Sequence, residues 1–131
     1  MLSFQDSLQQ LALLNFNHNT YGETLAEITE HLYCQIEDQC ICWIEENNKI
    51  VAYGDWLWIN DEEDIRLFEE IGMIPNGRVG GKLYVNNVVL DSEDKSLIWS
   101  LWKMRPNYES ICWKRENGRI KTWRVPHAKI S

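Results

Sequence analysis

The chain has no apolar run of the roughly 18–20 residues that a membrane-spanning helix needs. Its opening stretch, MLSFQDSLQQLALL, lacks the basic cluster that begins a secretory signal. A cytoplasmic protein with no transmembrane segment is therefore expected. No CxxC pair occurs among Cys34, Cys40, Cys42 and Cys112, which argues for free buried thiols in a reducing compartment. His31 lies near Cys34, but that spacing matches no common zinc site, and no metal is expected. Internal repeats and low-complexity segments are absent. Basic residues are scarce over most of the chain: residues 1–94 hold 18 acidic and 4 basic side chains, a net −14. Residues 95–131 reverse the balance, with 2 acidic and 9 basic, a net +7. The acidic bulk opposes nucleic-acid binding. The asymmetry points to two partners of opposite sign or to halves that attract each other.

What is present is enough for one core. A chain of 131 residues is read as a single domain, 1–131. Seven tryptophans bring large apolar area together with N–H groups to satisfy, and imply a core with a lined groove. The stretch that organises the rest is Lys82–Leu90, KLYVNNVVL, read as the central strand. Its adjacent Asn86 and Asn87 are poor strand residues. They mark a place where the ladder opens or bulges and a substrate can sit.

Leucines at 2, 8, 11 and 14 recur at helical spacing and predict a helix over Ser3–Leu14, with Ser3 and Asp6 as its cap. Asn15–Thr20 should break it. A second helix is expected from about Gly22 to Gln35, its outer side carrying Glu23, Glu27 and Glu30. Gln39–Glu45 and Lys49–Ile59 read as antiparallel strands joined by Glu46-Asn47-Asn48, with Gly54 as a possible bulge. A short acidic helix over Asp61–Ile71 and a glycine-rich loop, Gly72–Gly81, lead into the central strand. A helix over Ser92–Met104 follows, ended by Pro106. Tyr108–Arg115 and Arg119–Val125 form a hairpin across Asn117-Gly118, and Pro126–Ser131 is a tail. The order α-α-β-β-(α)-β-α-β-β predicts a mixed, mostly antiparallel sheet flanked by helices, of α/β (α+β) class.

That order, without a first strand, resembles the GCN5-related N-acetyltransferase (GNAT) fold. Within it, several stretches resemble the toxin-activating lysine acyltransferases, the hemolysin-activating C-protein type of RTX operons. They are His18-Asn19-Thr20-Tyr21, the approach to Asp38-Gln39-Cys40, and Val51-Ala52-Tyr53 with Trp56 and Asp61–Asp64. Gly81–Val85 before the central strand completes them. Together they cover about residues 15–125.

The resemblance implies transfer of a fatty acyl group from an acyl thioester, on acyl carrier protein or acyl-CoA, to a lysine side chain of a protein or ribosomal precursor peptide. The family's catalytic histidine falls on His18 and its catalytic aspartate on Asn86. The second is a departure, since an amide cannot take a proton as a carboxylate does. Asp55, Asp61 or Glu62 could supply the missing carboxylate.

Chemically, the acceptor ammonium must lose a proton and the tetrahedral oxyanion must be stabilised. The imidazole of His18 suits the first task, whereas His31 and His127 read as incidental. Asn86 would orient His18 or bond the thioester. Asn87, Val88, Tyr84 and Trp56 are candidates to line the acyl groove.

The turn at Leu90-Asp91-Ser92-Glu93-Asp94 has no glycine and three carboxylates, which disfavours a coenzyme A pyrophosphate at that helix start. A carrier protein avoids that problem. Its acidic surface could dock on Lys103, Arg105, Arg115 and Arg119, with Lys114, Lys121 and Arg124 adding to the set. GRVGG at Gly77–Gly81 precedes a strand and is a weak phosphate-loop signal. No tightly bound cofactor is expected, and a homodimer is possible. The alternatives are an acetyl-CoA-dependent acetyltransferase and a catalytically inactive peptide-binding module of the same fold.

Overall fold

The computed structural model describes residues 2–18, 22–72, 77–115 and 119–124, the last two by backbone only. Nine elements follow in chain order: α1 Phe4–His18, α2 Leu25–Glu37, β1 Ile41–Glu46, β2 Lys49–Ile59, α3 Glu63–Ile71, β3 Lys82–Leu90, α4 Leu97–Met104, β4 Ser110–Lys114 and β5 Ile120–Arg124. This is the expected order, and the strands form one mixed, mostly antiparallel sheet, β1-β2-β3-β4-β5. The chain divides into two compact units, Met1–Asp55 with Asn87–Arg105, and Trp56–Asn86 with Pro106–Ser131.

In the first unit, the Ser3 hydroxyl accepts the Asp6 N–H (3.1 Å) at the start of α1. Thr24 and Glu27 close a reciprocal capping box on α2. The apolar spacing of the two helices brings Leu11, Leu14, Ile28 and Leu32 onto Ile50 and Tyr53 of β2. Strand alternation then divides β2: Tyr53 belongs to this cluster, and Ala52 packs with Leu97 and Leu101 of α4. The β1–β2 turn uses Asn47 and Asn48 at φ 54° and 63°, a left-handed pair that asparagine tolerates. Gln10 ties the hairpin down by accepting the Ile50 N–H (2.7 Å) and donating to the Asn48 carbonyl (3.1 Å).

The second unit is built on Ile59, Ile65, Tyr84 and Cys112. β3 pairs with β4 in parallel, from Lys82↔Ser110 to Val85↔Trp113, and β4 pairs with β5 antiparallel. Gly72 closes α3 in the left-handed region at φ 71°. Gly77 has a steric reason for its identity: a Cβ there would lie 2.3 Å from the backbone carbonyl carbon of Trp58. Its N–H donates to the Trp58 carbonyl at 3.1 Å. The glycine serves close packing of two backbones.

Four expectations need correction. α1 runs four residues past Leu14, so Asn15–His18 is helical and His18 closes a helix instead of lying in a loop. Asparagine is a weak helix former, but Asn15 is buried and donates its side-chain amide to the Tyr53 hydroxyl. Second, α4 begins at Leu97, not Ser92. Ser92 accepts the Asp94 N–H, and Asp94 accepts both the N–H and the hydroxyl of Ser96; such local bonds compete with helix. Third, Gly54 pairs regularly with Cys42, and the irregularity in the β1–β2 ladder falls between Ile44 and Glu45. The cysteines are free: Cys40 and Cys112 are buried, Cys42 is half-buried, and Cys34 is exposed, against the expectation of buried thiols throughout. The Asn117-Gly118 turn and the Pro126–Ser131 tail lie outside the described residues.

Candidate active site

His18 is the last residue of α1 and is exposed. Its Nδ1 lies 2.9 Å from the Leu14 carbonyl, one helical turn back. A carbonyl only accepts, so Nδ1 is the donor and Nε2 is the ring nitrogen left for a substrate. Asn19, Thr20 and Tyr21 lie outside the described residues.

Asn86 is half-buried on β3, directly after the last β3–β4 register pair, and belongs to the second unit, whereas His18 belongs to the first. The Asn87 carbonyl lies 3.5 Å from where a Gly54 Cβ would stand. Val88 is exposed. Tyr84 is buried in the second unit's core, and Trp56 is buried too.

The proposed docking residues divide between the units. Lys103 is exposed on α4, and Arg105 stacks over the Trp102 ring at 4.2 Å while donating to the Trp102 carbonyl (2.6 Å). Arg115 and Arg119 are exposed and share a backbone bond across the β4–β5 hairpin (2.9 Å). Lys114 is tied to Glu69 at 2.7 Å.

The carboxylates considered for the missing acid fall in different places. Asp61 accepts the Glu63 N–H at the start of α3 (2.9 Å). Glu62 accepts from the Thr122 hydroxyl (3.0 Å) and lies 3.9 Å from Lys82. Asp55 is different: it is 1 % exposed, inside the first unit. Its Oδ2 lies 3.1 Å from Nε2 of His31, and its Oδ1 has no hydrogen-bond partner among the described residues. A buried oxygen left in that state costs about 1–3 kcal/mol, and such groups often mark chemistry.

Burial by itself disfavours the His31 imidazolium. The Asp55 hydrogen bond and charge, with Glu23 further off, outweigh it and raise the His31 pKa above its ordinary 6.5. Close by, burial pushes the Tyr53 phenol up and the Cys40 thiol to about 11, with the Asp38 and Asp55 charges adding to the second. The first unit therefore holds a buried carboxylate beside an imidazole whose protonated form it favours. His31 reads as incidental in the sequence because its partner lies 24 positions away. The available signal was an aspartate in the middle of the apolar strand KIVAYGDWLWI.

At the start of α4 the three carboxylates Asp91, Glu93 and Asp94 are exposed. The hydrogen bonds from the Ser96 hydroxyl and N–H lower the Asp94 pKa, so this end of the helix already carries its own anion.

No protein-family model matches the chain, and no curated protein matches it. Solved structures do. One is the GphF GNAT-like decarboxylase in complex with isobutyryl-CoA, at 14% identity and TM-score 0.62, over 85% of this chain and 62% of that one. Another is the loading GNATL domain of CurA from Lyngbya majuscula, at 15% identity and TM-score 0.59, over 84% and 58%. An acetyltransferase matches at 12% identity and TM-score 0.53, over 86% and 78%. The chain thus spans less than two thirds of the first two, and at these identities what is shared is the GNAT fold.

Proposed function

We propose, taking the GNAT fold as premise, that this protein is an N-acyltransferase moving a fatty acyl group from a thioester to the side-chain amine of a lysine in a protein or peptide. The observation that carries the reading is the shared fold, one of whose neighbours is in complex with isobutyryl-CoA. The resemblance of the His18–Tyr21 stretch to the toxin-activating lysine acyltransferases narrows it to lysine.

In this reading His18 Nε2 takes a proton from the lysine ammonium, and the neutral amine attacks the thioester carbonyl carbon. A C–N bond forms, the C–S bond breaks, and the departing thiolate leaves with a proton. The acidic segment before α4, where Asp94 accepts the Ser96 N–H, disfavours a bound pyrophosphate, which supports a carrier-protein thioester over free acyl-CoA as the donor. Lys103, Arg105, Arg115 and Arg119 are the residues proposed to meet the acidic carrier.

A second base is favoured by one specific observation, the buried Asp55 beside His31. In that version the imidazole is polarised by a carboxylate, and the pair does the work assigned to His18.

The test is mass analysis of a lysine peptide incubated with acyl carrier thioester, acyl-CoA or acetyl-CoA. A fatty-acyl shift is expected. His18→Ala should slow it about 10²–10⁴-fold with the unfolding midpoint kept. Loss in His31→Ala with His18→Ala intact moves the base to His31. Acetyl shifts alone make the protein an acetyltransferase. No shift with any donor overturns the reading and leaves a binding module.

A further inference from the structure

Residues 1–48 contain eight acidic side chains and no lysine or arginine. Three of them, Glu27, Glu30 and Glu37, fall on α2, where Glu30 lines an apolar groove. Leu8 of α1 and Leu25, Ala26, Thr29, Glu30 and Tyr33 of α2 line the groove, which holds about 630 Å³, room for a few side chains. The Phe4 ring sits edge-on to Tyr33, the centroids 6.0 Å apart. Leu25, Tyr33 and Phe4 are 40–47 % exposed, although they lie on the same helices that bury Leu11, Ile28 and Leu32.

Helical spacing puts Glu27 and Glu37 on the side of α2 that carries the lining Glu30, Glu23 stands just before the helix, and all four are exposed. Glu27 is engaged in the α2 capping box. Among the described residues no ion pair engages Glu23, Glu30 or Glu37.

We infer that this groove docks a basic amphipathic helix, the segment of the acceptor that carries or flanks the lysine to be acylated. An apolar stripe on such a helix fills the space between Leu8, Leu25 and Tyr33, and its arginines or lysines meet the acidic edge. An anionic membrane surface or an acidic protein would be repelled by the same edge. A second copy of this chain would bring the bases of its residues 95–131, a net +7, but no amphipathic basic helix among its described residues, and self-association is the outcome that would show it as the occupant.

The role of the lysine rests on the acylation reading; the docking itself does not. The experiment measures anisotropy of a labelled amphipathic peptide of leucine and arginine, about four turns long, with a leucine and glutamate peptide as control. The arginine peptide should bind, and added salt should weaken it. The glutamate peptide should not bind.

Glu30→Lys with Glu37→Lys should cut affinity roughly ten-fold or more. Tyr33→Ser should cut it separately, and Glu93→Lys, a single charge reversal outside the groove, should leave it intact. Absent binding, equal binding of both peptides, or binding indifferent to the groove variants overturns the proposal, as does self-association of the protein abolished by them. A lysine-containing version of the peptide separates the two claims. Docking without acylation removes the enzyme reading and keeps the groove. Acylation with KM unchanged in the groove variants does the reverse.

Discussion

The two compact units handle charge in opposite ways. The first holds twelve acidic and four basic side chains, a net −8, and the second eight and nine, a net +1; together they make the chain's −7. In the second unit acids meet bases at the surface: Arg66 between Glu63 and Glu70, Arg78 with Glu109, Lys114 with Glu69. In the first unit Lys49–Asp91 is the surface pair among the described residues, and an ionisable pair, His31–Asp55, is taken inward. Surface pairs contribute little. A buried carboxylate is unforgiving if its partner is removed, so the first unit has concentrated its electrostatics where geometry matters. It leaves the remaining acids turned outward.

That contrast can be broken by measurement. Asp55→Ala removes the inner carboxylate and leaves His31 beside an apolar void, and it should cost about 3 kcal/mol in urea unfolding. A value near zero would make the inner pair as idle as a surface one. Gly77→Ala tests the second unit on its own terms: the added methyl must displace the Trp58 backbone, with an expected loss of about 2 kcal/mol.

The pH dependence of stability sharpens the comparison further. The raised His31 pKa means its contribution is whole below the unfolded value of about 6.5 and fades as pH climbs through the higher folded value. Unfolding midpoints should fall over that window in the parent protein and stay flat there in His31→Asn. Lys114→Ala, at the outer end of the scale, should cost less than about 1 kcal/mol, with high salt erasing the difference.

Much of the fold was legible because its signals are local. β2 and β3 were read with their observed bounds: one is bracketed by an Asn-Asn turn and a run of acids, the other by glycines and an Asp-Ser turn. The missed portion lies where distant groups decide. Asn15 through His18 read as a break, yet the Tyr53 hydroxyl holds Asn15 in a helix from 38 positions away. The start of α4 was placed too early because Ser92, Asp94 and Ser96 resemble a helix entry while bonding one another.

Of the candidate site, His18 and Asn86 were named through the resemblance as individual positions, and they fall in different units. The link between His31 and Asp55 could not be named, since no periodicity joins a helix residue to a strand residue across a core. The α2 capping box, Thr24 to Glu27, was readable and went unread.

Cys34 gives the molecule a built-in attachment point. The other three thiols are shielded to varying degrees, and burial lifts those of Cys40 and Cys112 to about 11. A maleimide dye at neutral pH should therefore couple first to Cys34, on the same turn of α2 as Tyr33 and Glu37. Such a reporter, needing no engineered residue, would sense any guest arriving at that face.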